Sequence, residues 1–534
     1  MIYANDFFTI GNSYPNDDTV QLIDNYTHEA VVYKKCAPGI PVNGTEDGAI
    51  YRKKDNDFYM RQWLGDVRVA WWGIENKSVD ERTQLINKVL SLGYDVFFDK
   101  MEITIKGKLV VNSNQKLLSN GCKIIQIEKY IEIFDCEDKE DIMIKGFVLT
   151  GHGDDYEPSS SSRSVGVLCY GAKRLLIEGN TFENFTYSAV SGLREVKHLI
   201  FRFNAVENSF NEAWGKQNAP TGRKDNTGIT VGGQNITILK NRFKNSSQGI
   251  VIAEKSDFVS ISDNDIENTI LEHGMYVDAG VSNITIIGNR VRNTVKMGIK
   301  LQNFDYKNYV SHNIVISNNT IENTRGGGDG ISINNTTGVV DAQLYAKNVV
   351  VSGNIVRNAG QHGINIRFVD QGVISNNVIN DIQFAGVYIS NVKSVEVCHN
   401  NIKTTAENGI MIEGHNTVLS VNSNTIENPG IRNTGLDDLL TGVTIRGFFN
   451  KEISLKYNKI IGGGNAMKHG VFVEFILPTD ESPEKKTFQE TYEIIGNTVL
   501  DAIDGYSYRF LNHNVPLRLF NNNYQYLLNT PTQA

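Results

Sequence analysis

The chain is predicted to be all-β, a single-stranded parallel β-helix, and three features of the sequence predict it. A glycine phrase recurs from Gly228 onward, an asparagine box recurs with it, and strand-like alternation replaces helical periodicity after residue 94. The phrase reads Gly228-Ile-Thr-Val, Gly249-Ile-Val-Ile, Gly274-Met-Tyr-Val, Gly298-Ile-Lys-Leu, Gly330-Ile-Ser-Ile, Gly363-Ile-Asn-Ile, Gly386-Val-Tyr-Ile, Gly409-Ile-Met-Ile, Gly442-Val-Thr-Ile and Gly470-Val-Phe-Val. The box runs Asn180 to Asn184, Asn204 to Asn208, Asn241 to Asn245, Asn264 to Asn268, Asn289 to Asn293, Asn319 to Asn323, Asn354 to Asn358, Asn376 to Asn380 and Asn424 to Asn428.

The shortest intervals between successive glycines are 21 to 25 residues, and longer ones mark insertions. At ~3.3 Å per residue that unit holds three short strands and their turns, one circuit of a solenoid. A repeat array extends one continuous core, so 534 residues do not require several domains. The expected layout is a neck or adaptor over 1–65, a β-helix over 66–510 and a short closing segment over 511–534. Within the neck, "DGAIYRKKDNDFYMRQW" (Asp47 to Trp63) reads as a charged β-hairpin. Ser78-Val-Asp-Glu81 is a capping box, opening a helix over 78–92 with Leu85, Ile86, Val89 and Leu90 at helical spacing and Gly93 at its end.

In each phrase the first and third residues after glycine are apolar and are expected to face inward; the second and fourth vary and are expected to face out. The glycine is expected to let the backbone bend, and the asparagines to stack coil on coil as structural ladders. Insertions at 151–164, 209–227, 302–313, 335–347, 429–441 and 477–491 are expected to flank that outward face and wall a groove for an extended ligand.

A formal net charge of -8 argues against a nucleic-acid partner. No apolar run approaches the ~20 residues of a membrane span, and no basic start followed by a long apolar run marks a secretory leader. Cysteines 36, 122, 136, 169 and 398 lack metal-ligand spacing and are expected mostly as small buried residues. No P-loop, nucleophile elbow, HExxH or dinucleotide fingerprint occurs, and neither cofactor nor metal is expected.

Asp66-Val-Arg-Val-Ala-Trp-Trp-Gly73, followed by Gln84 to Phe98 as a capping helix and first strand, resembles the opening segment of right-handed parallel β-helix proteins of the pectate-lyase-like superfamily, specifically bacteriophage tailspike depolymerases. The hairpin before it is similar to tailspike necks. The resemblance implies a right-handed solenoid, a homotrimer on the virion tail held through a baseplate or adaptor protein, and cleavage of a bacterial surface polysaccharide, capsule or O-antigen. It carries over no catalytic residue.

Site candidates therefore come from the outward columns. The second-position column is Thr230, Val251, Tyr276, Lys300, Ser332, Asn365, Tyr388, Met411, Thr444 and Phe472; the fourth is Gly232, Ala253, Asp278, Gln302, Asn334, Arg367, Ser390, Glu413, Arg446 and Glu474. Neighbours in a column are ~4.8 Å apart. Glu254 and Asp278, one coil apart, are the expected catalytic carboxylates of an endo-glycoside hydrolase, with His273, Tyr276, Lys300 and Gln302 binding substrate beside them. Such a pair needs ~5 to 5.5 Å for retention or ~6.5 to 9.5 Å for inversion. A second group, Asp329, His362, Asn365, Arg367, Asp370 and Tyr388, has the parts for a lyase or epimerase: His362 or Tyr388 as base and Arg367 against a uronate carboxylate. A bridge from Arg367 to Asp370 or Asp329 is the plainer reading of those charges. Trp214 is expected as a sugar-stacking residue among the insertion residues Asp154, Asp155, Glu157, Glu212, Arg223 and Asp225. A non-catalytic adhesin using the same face is the reading from a different class.

Overall fold

A computed structural model describes residues 2–9, 18–41, 45–152, 164–208, 227–303, 309–334, 344–431, 440–447, 450–463, 467–475, 491–510 and 517–526. It divides into two compact units, Met1–Ser191 and Gly192–Ala534.

In the first unit, β1 (Thr19–Ile23), β2 (Ala30–Lys35), β3 (Tyr51–Lys54) and β4 (Asp57–Gln62) form an antiparallel sheet of order β1-β2-β4-β3. The expected hairpin is the β3–β4 pair, turning at Asp55 in the left-handed region. Helix α1 (Ala4–Thr9) closes the sheet's core by burying Ala4 and Phe7 against Leu22, Val31, Tyr33 and Tyr59. Arg61 and Asp24 form a buried ion pair at 2.5 Å, and the Arg61 guanidinium lies 3.9 Å from the centre of the Trp71 ring. The burial cost of that charge pair is offset by the main-chain N–H groups of Tyr26 and Thr27 donating to Asp24.

Helix α2 (Val79–Ser91) begins as the capping box predicts: Glu81 accepts from the Ser78 amide at 2.9 Å, and Gly93 takes a positive φ beyond its end. It buries Thr83, Ile86, Val89 and Leu90, while Leu85 is half-buried. The coils then start, with Ile103, Ile124, Leu149 and Phe182 in successive register and fully buried. Cys122, Cys136 and Cys169 are buried among these coils, which pushes their thiols up, to about 12 for Cys122 and Cys169.

The second unit is a stack of parallel coils. From Thr230 the predicted second-position column pairs rung by rung through Val251, Tyr276, Lys300, Ser332, Asn365, Tyr388, Met411, Thr444 and Phe472. The first and third positions, such as Ile299 and Leu301 or Ile364 and Ile366, fill the core. Parallel pairing continues past residue 510, with Leu517–Phe520 on Thr491–Ile495 and Asn523–Tyr526 on Thr498–Ala502, so this part of the closing segment belongs to the coils.

The asparagine boxes form two ladders. A buried one runs Asn204, Asn241, Asn264, Asn289, Asn319, Asn354, Asn377, Asn400, Asn424, Asn458, Asn497, Asn522, each amide nitrogen donating to the next Oδ1 at 2.8 to 3.2 Å. A second, more exposed one joins Asn208, Asn245, Asn268, Asn293, Asn323 and Asn358, all at positive φ. The box expected at Asn376 to Asn380 is shifted by one: Asn377 is the ladder residue, and Asn376 is in the left-handed turn before it.

The phrase glycines also differ from expectation. None of them has positive φ; each lies where a Cβ would collide, as at Gly363, where it would come within 2.5 Å of the Gly386 carbonyl oxygen and of Ile379 Cγ2. Close approach of coils, and not backbone freedom, selects glycine here.

Candidate functional site

The second-position column faces away from the core as predicted, but it is not exposed. Lys300, Ser332, Asn365, Tyr388, Met411, Thr444 and Phe472 are all buried. At several rungs the residue before the glycine folds over this column. The His273 ring stacks on Tyr276 at 5.6 Å, His362 on Tyr388 at 4.6 Å and His469 on Phe472 at 5.4 Å, while Thr227 hydrogen-bonds Thr230. The fourth position is the rim: Asp278, Asn334, Arg367, Glu413 and Arg446 are half-buried.

The structure does not gather all the candidates into one place. Asp278 Oδ1 accepts the Ala279 amide at 2.8 Å and the Tyr276 hydroxyl at 3.4 Å. Glu254 is also half-buried, in the turn just after Gln248–Ile252, the strand paired with Met275–Val277, which Asp278 directly follows. His273 lies 3.5 Å from Glu272, a buried carboxylate that also pairs with Lys296 at 2.9 Å. Gln302 is buried opposite Asn334. Trp214 and its companions Asp154, Asp155, Glu157, Glu212, Arg223 and Asp225 lie outside the described residues. Asp370 pairs with Lys393 at 3.8 Å, and Arg367 Nε donates to Asn365 Oδ1 at 3.1 Å, so the expected bridge between Arg367 and Asp370 gives way to those contacts.

Further along the column the polar groups converge. Asp329 accepts the His362 main-chain N–H at 3.1 Å on one oxygen and Asn365 Nδ2 at 2.8 Å on the other. The Arg367 guanidinium lies 4.4 Å from the centre of the Tyr388 ring, and the Tyr388 hydroxyl donates to Glu413 Oε2 at 2.6 Å. Arg446 continues the line, 3.8 Å from Glu413 and 2.8 Å from Glu474. Lys300 Nζ donates to the Asn334 carbonyl at 2.9 Å, while the buried Ser332 hydroxyl in the rung between Lys300 and Asn365 has no hydrogen-bond partner among the described residues.

Burial controls the proton affinities. It lowers Lys300 to about 7, with Arg367 lowering it further and Asp329 opposing. It lowers His362 to about 4 under the same two charges, so the imidazole is neutral at pH 7; Nδ1 accepts from the Ala385 amide at 3.4 Å, which leaves the proton on Nε2. Tyr388 is raised to about 12, mainly by burial, against the pull of Arg367. An amine that is partly neutral at pH 7, a fixed cation and a protonated phenol within a few rungs are the components of proton-transfer chemistry.

Of the second group, the structure brings Asp329, His362, Asn365, Arg367 and Tyr388 into contact with one another, while Asp370 pairs with Lys393. Glu413 and Ser332 were not singled out from the sequence, although both stand in the tabulated columns. Among the described residues no group of three or more His, Cys, Asp or Glu is placed to hold a metal ion, and no helix is long and apolar enough to cross a membrane.

Among solved structures, the chain is similar to tailspike protein 3 of bacteriophage CBA120, with 10% identity over 88% of this chain and 65% of that one and a TM-score of 0.42. It is similar to the A-module of an Azotobacter vinelandii mannuronan C-5 epimerase, with 11% identity, 88% and 100% coverage and a TM-score of 0.36. It is also similar to the catalytic domain of an α-1,3-glucanase solved with nigerose, with 11% identity, 88% and 74% coverage and a TM-score of 0.32. Comparison with curated protein sequences gives no match. Residues 159–343 and 280–448, together more than half the chain, match the family described as the right handed beta helix region, and with the coils observed above the chain belongs to that family.

Proposed function

We propose that this chain is a polysaccharide-processing enzyme that abstracts a proton beside a uronate carboxylate, by elimination or epimerisation. The observation that carries this reading is the buried Lys300 amine, lowered to about 7, within a cluster whose half-exposed member is the Arg367 cation. Arg367 pairs with the uronate carboxylate and stabilises the charge that develops as the neighbouring carbon loses its proton. Lys300 in its neutral form takes that proton. Tyr388, protonated and lying against Arg367, gives a proton to the departing glycosidic oxygen in elimination or to the opposite face of the carbon in epimerisation. His362 stacks on Tyr388 and holds its ring.

Hydrolysis by Glu254 and Asp278 is the second reading, supported by the half-buried Asp278 carboxylate, with Tyr276 donating to it, on the coil next to Glu254. The biological setting we propose is a trimeric tailspike acting on a bacterial capsule or O-antigen. It rests on the resemblance of the Asp66 to Gly73 segment and the neck hairpin.

The test is digestion of polygalacturonate, alginate and purified bacterial capsule, followed by ultraviolet absorbance and proton NMR. Elimination yields an unsaturated uronate that absorbs; epimerisation changes the NMR spectrum without shortening the chain. Lys300→Met and Arg367→Met are expected to lower either activity by about 10²- to 10⁴-fold. Shortening without absorbance, abolished by Glu254→Gln or Asp278→Asn and intact in Lys300→Met, overturns this reading in favour of hydrolysis. Binding without any chemical change makes the protein an adhesin.

A further inference from the structure

We infer that Asp329 is a positioning residue: it sets which way the Asn365 amide faces and, through it, holds Arg367 over Tyr388. The inference rests on the reading of Arg367 as the carboxylate clamp. Asp329 is fully buried and, unlike the Lys300 amine, has both its acceptor oxygens taken by neighbouring groups, so it acts through other side chains. Its two oxygens are committed, one to the His362 main-chain N–H and the other to Asn365 Nδ2. A carboxylate can only accept, so the amide nitrogen of Asn365 must face it. The amide carbonyl is thereby turned to Arg367 and accepts its Nε–H. One fixed charge thus determines the polarity of two successive hydrogen bonds and fixes the guanidinium 4.4 Å from the Tyr388 ring centre. Asp329 precedes Gly330, Asn365 and Arg367 follow Gly363, and Tyr388 follows Gly386, so the relay ties three consecutive coils.

The polarity argument makes a distinctive prediction. In Asp329→Asn, the new amide must offer its oxygen to the His362 N–H, which leaves its NH2 facing Asn365. The Asn365 side chain then turns its oxygen towards position 329 and its own NH2 towards Arg367, donor against donor, and the clamp is lost. Adding Asn365→Asp moves the acceptor-only group one coil along and restores both bonds with the cluster's net charge unchanged.

The test measures phenylglyoxal labelling of Arg367 by peptide mass spectrometry, with kcat and KM on alginate and polygalacturonate alongside. Asp329→Asn is expected to speed Arg367 labelling by about tenfold, a ~1.4 kcal/mol loss of the order of one charged hydrogen bond, and to raise KM more than it lowers kcat. Asp329→Asn/Asn365→Asp is expected to return both to within about threefold of the parent, as coupled neighbours do. Asn365→Leu, which leaves Asp329 in place and removes only the relay, is expected to label as fast as Asp329→Asn, so the expectation survives if Asp329→Asn does not fold. A double variant as labile as Asp329→Asn, or an Asn365→Leu that labels like the parent, overturns the inference. Labelling that follows the expected pattern in a protein inert towards both uronate polymers keeps the positioning role and removes the proposed reaction.

Discussion

Lys300 Nζ donates to the main-chain carbonyl of Asn334, 2.9 Å away on the next coil, and Lys300 as a whole is only 1% exposed. A single carbonyl does not replace the hydration of an ammonium, so burial drives the amine towards its neutral form. The folded value near 7 lies below the ordinary 10.5, so the unfolded chain binds more protons between those limits, and the contribution of Lys300 to stability rises with pH across that window. Lys300→Met is therefore expected to be at least as stable as the parent at neutral pH. It is also expected to lose up to ~3 kcal/mol of the parent's stability gain between pH 7.5 and 9.5, at ~1.4 kcal/mol per pH unit. Urea unfolding at the two pH values reads the difference between the two proteins; parallel responses would show that Lys300 stays charged.

The buried and exposed asparagine ladders are expected to differ in strength. Asn319 donates to Ile286 O and Asn354 Oδ1 and accepts from the Asn289 main-chain and side-chain nitrogens. Asn319→Ala strands those buried partners and is expected to cost ~3 kcal/mol or more. Asn323 is exposed, so solvent can take over the side-chain bonds it makes to Asn293 and Asn358, and at φ 60° glycine keeps its backbone unstrained; Asn323→Gly is therefore expected to cost under ~1 kcal/mol. Equal losses in urea midpoint would contradict the distinction.

How much was legible in the sequence follows from this geometry. The coil register was, because the glycine phrase and the buried asparagine recur in every coil from Gly228 to Gly470. The ladder residue at Asn376 and Asn377 was not: two adjacent asparagines satisfy the spacing, and only bonding to Asn354 and Asn400 selects the second. The depth of the site was not legible either. Strict alternation turns the residue before each glycine inward, whereas the chain bends at the glycine and carries His273, Asp329 and His362 onto the outward face. A column expected to meet solvent is thereby covered, and the cluster gains its shifted proton affinities. The second- and fourth-position columns were readable as sets, but which members make a site depends on where buried charges find partners, and that is a property of three or four coils together.

Gly363→Ala tests the close-approach account of the phrase. Its Cβ would meet a main-chain oxygen and a core methyl, neither of which can swing away, so the coils must separate locally. The expected cost is ~2 to 3 kcal/mol or more. Gly327 sits in a turn at φ 82° with open space around its Cα, so Gly327→Ala is expected to cost only the ~1 to 2 kcal/mol of left-handed strain. The ordering of the two urea midpoints decides: a milder effect at Gly363 would return the glycine to a role in backbone freedom.

In the other large parallel sheet of the coils, one column alternates in sign rung after rung: Glu207, Lys244, Glu267, Arg292, Glu322, Arg357. Along this column Arg292 pairs with Glu267 at 3.6 Å and Arg357 with Glu322 at 3.4 Å. Each exposed pair is worth little, and Glu322→Gln is expected to cost under ~1 kcal/mol. Reversal differs from neutralisation, because Glu322→Lys sets a third cation between Arg292 and Arg357 and beside Arg290, which lies 3.5 Å from Glu322. That variant is expected to lose ~1 to 2 kcal/mol at low salt and to recover most of it at 1 M NaCl, where the screening length falls to ~3 Å. A loss in Glu322→Lys that persists unchanged in high salt would place the cost in packing and not in charge alternation.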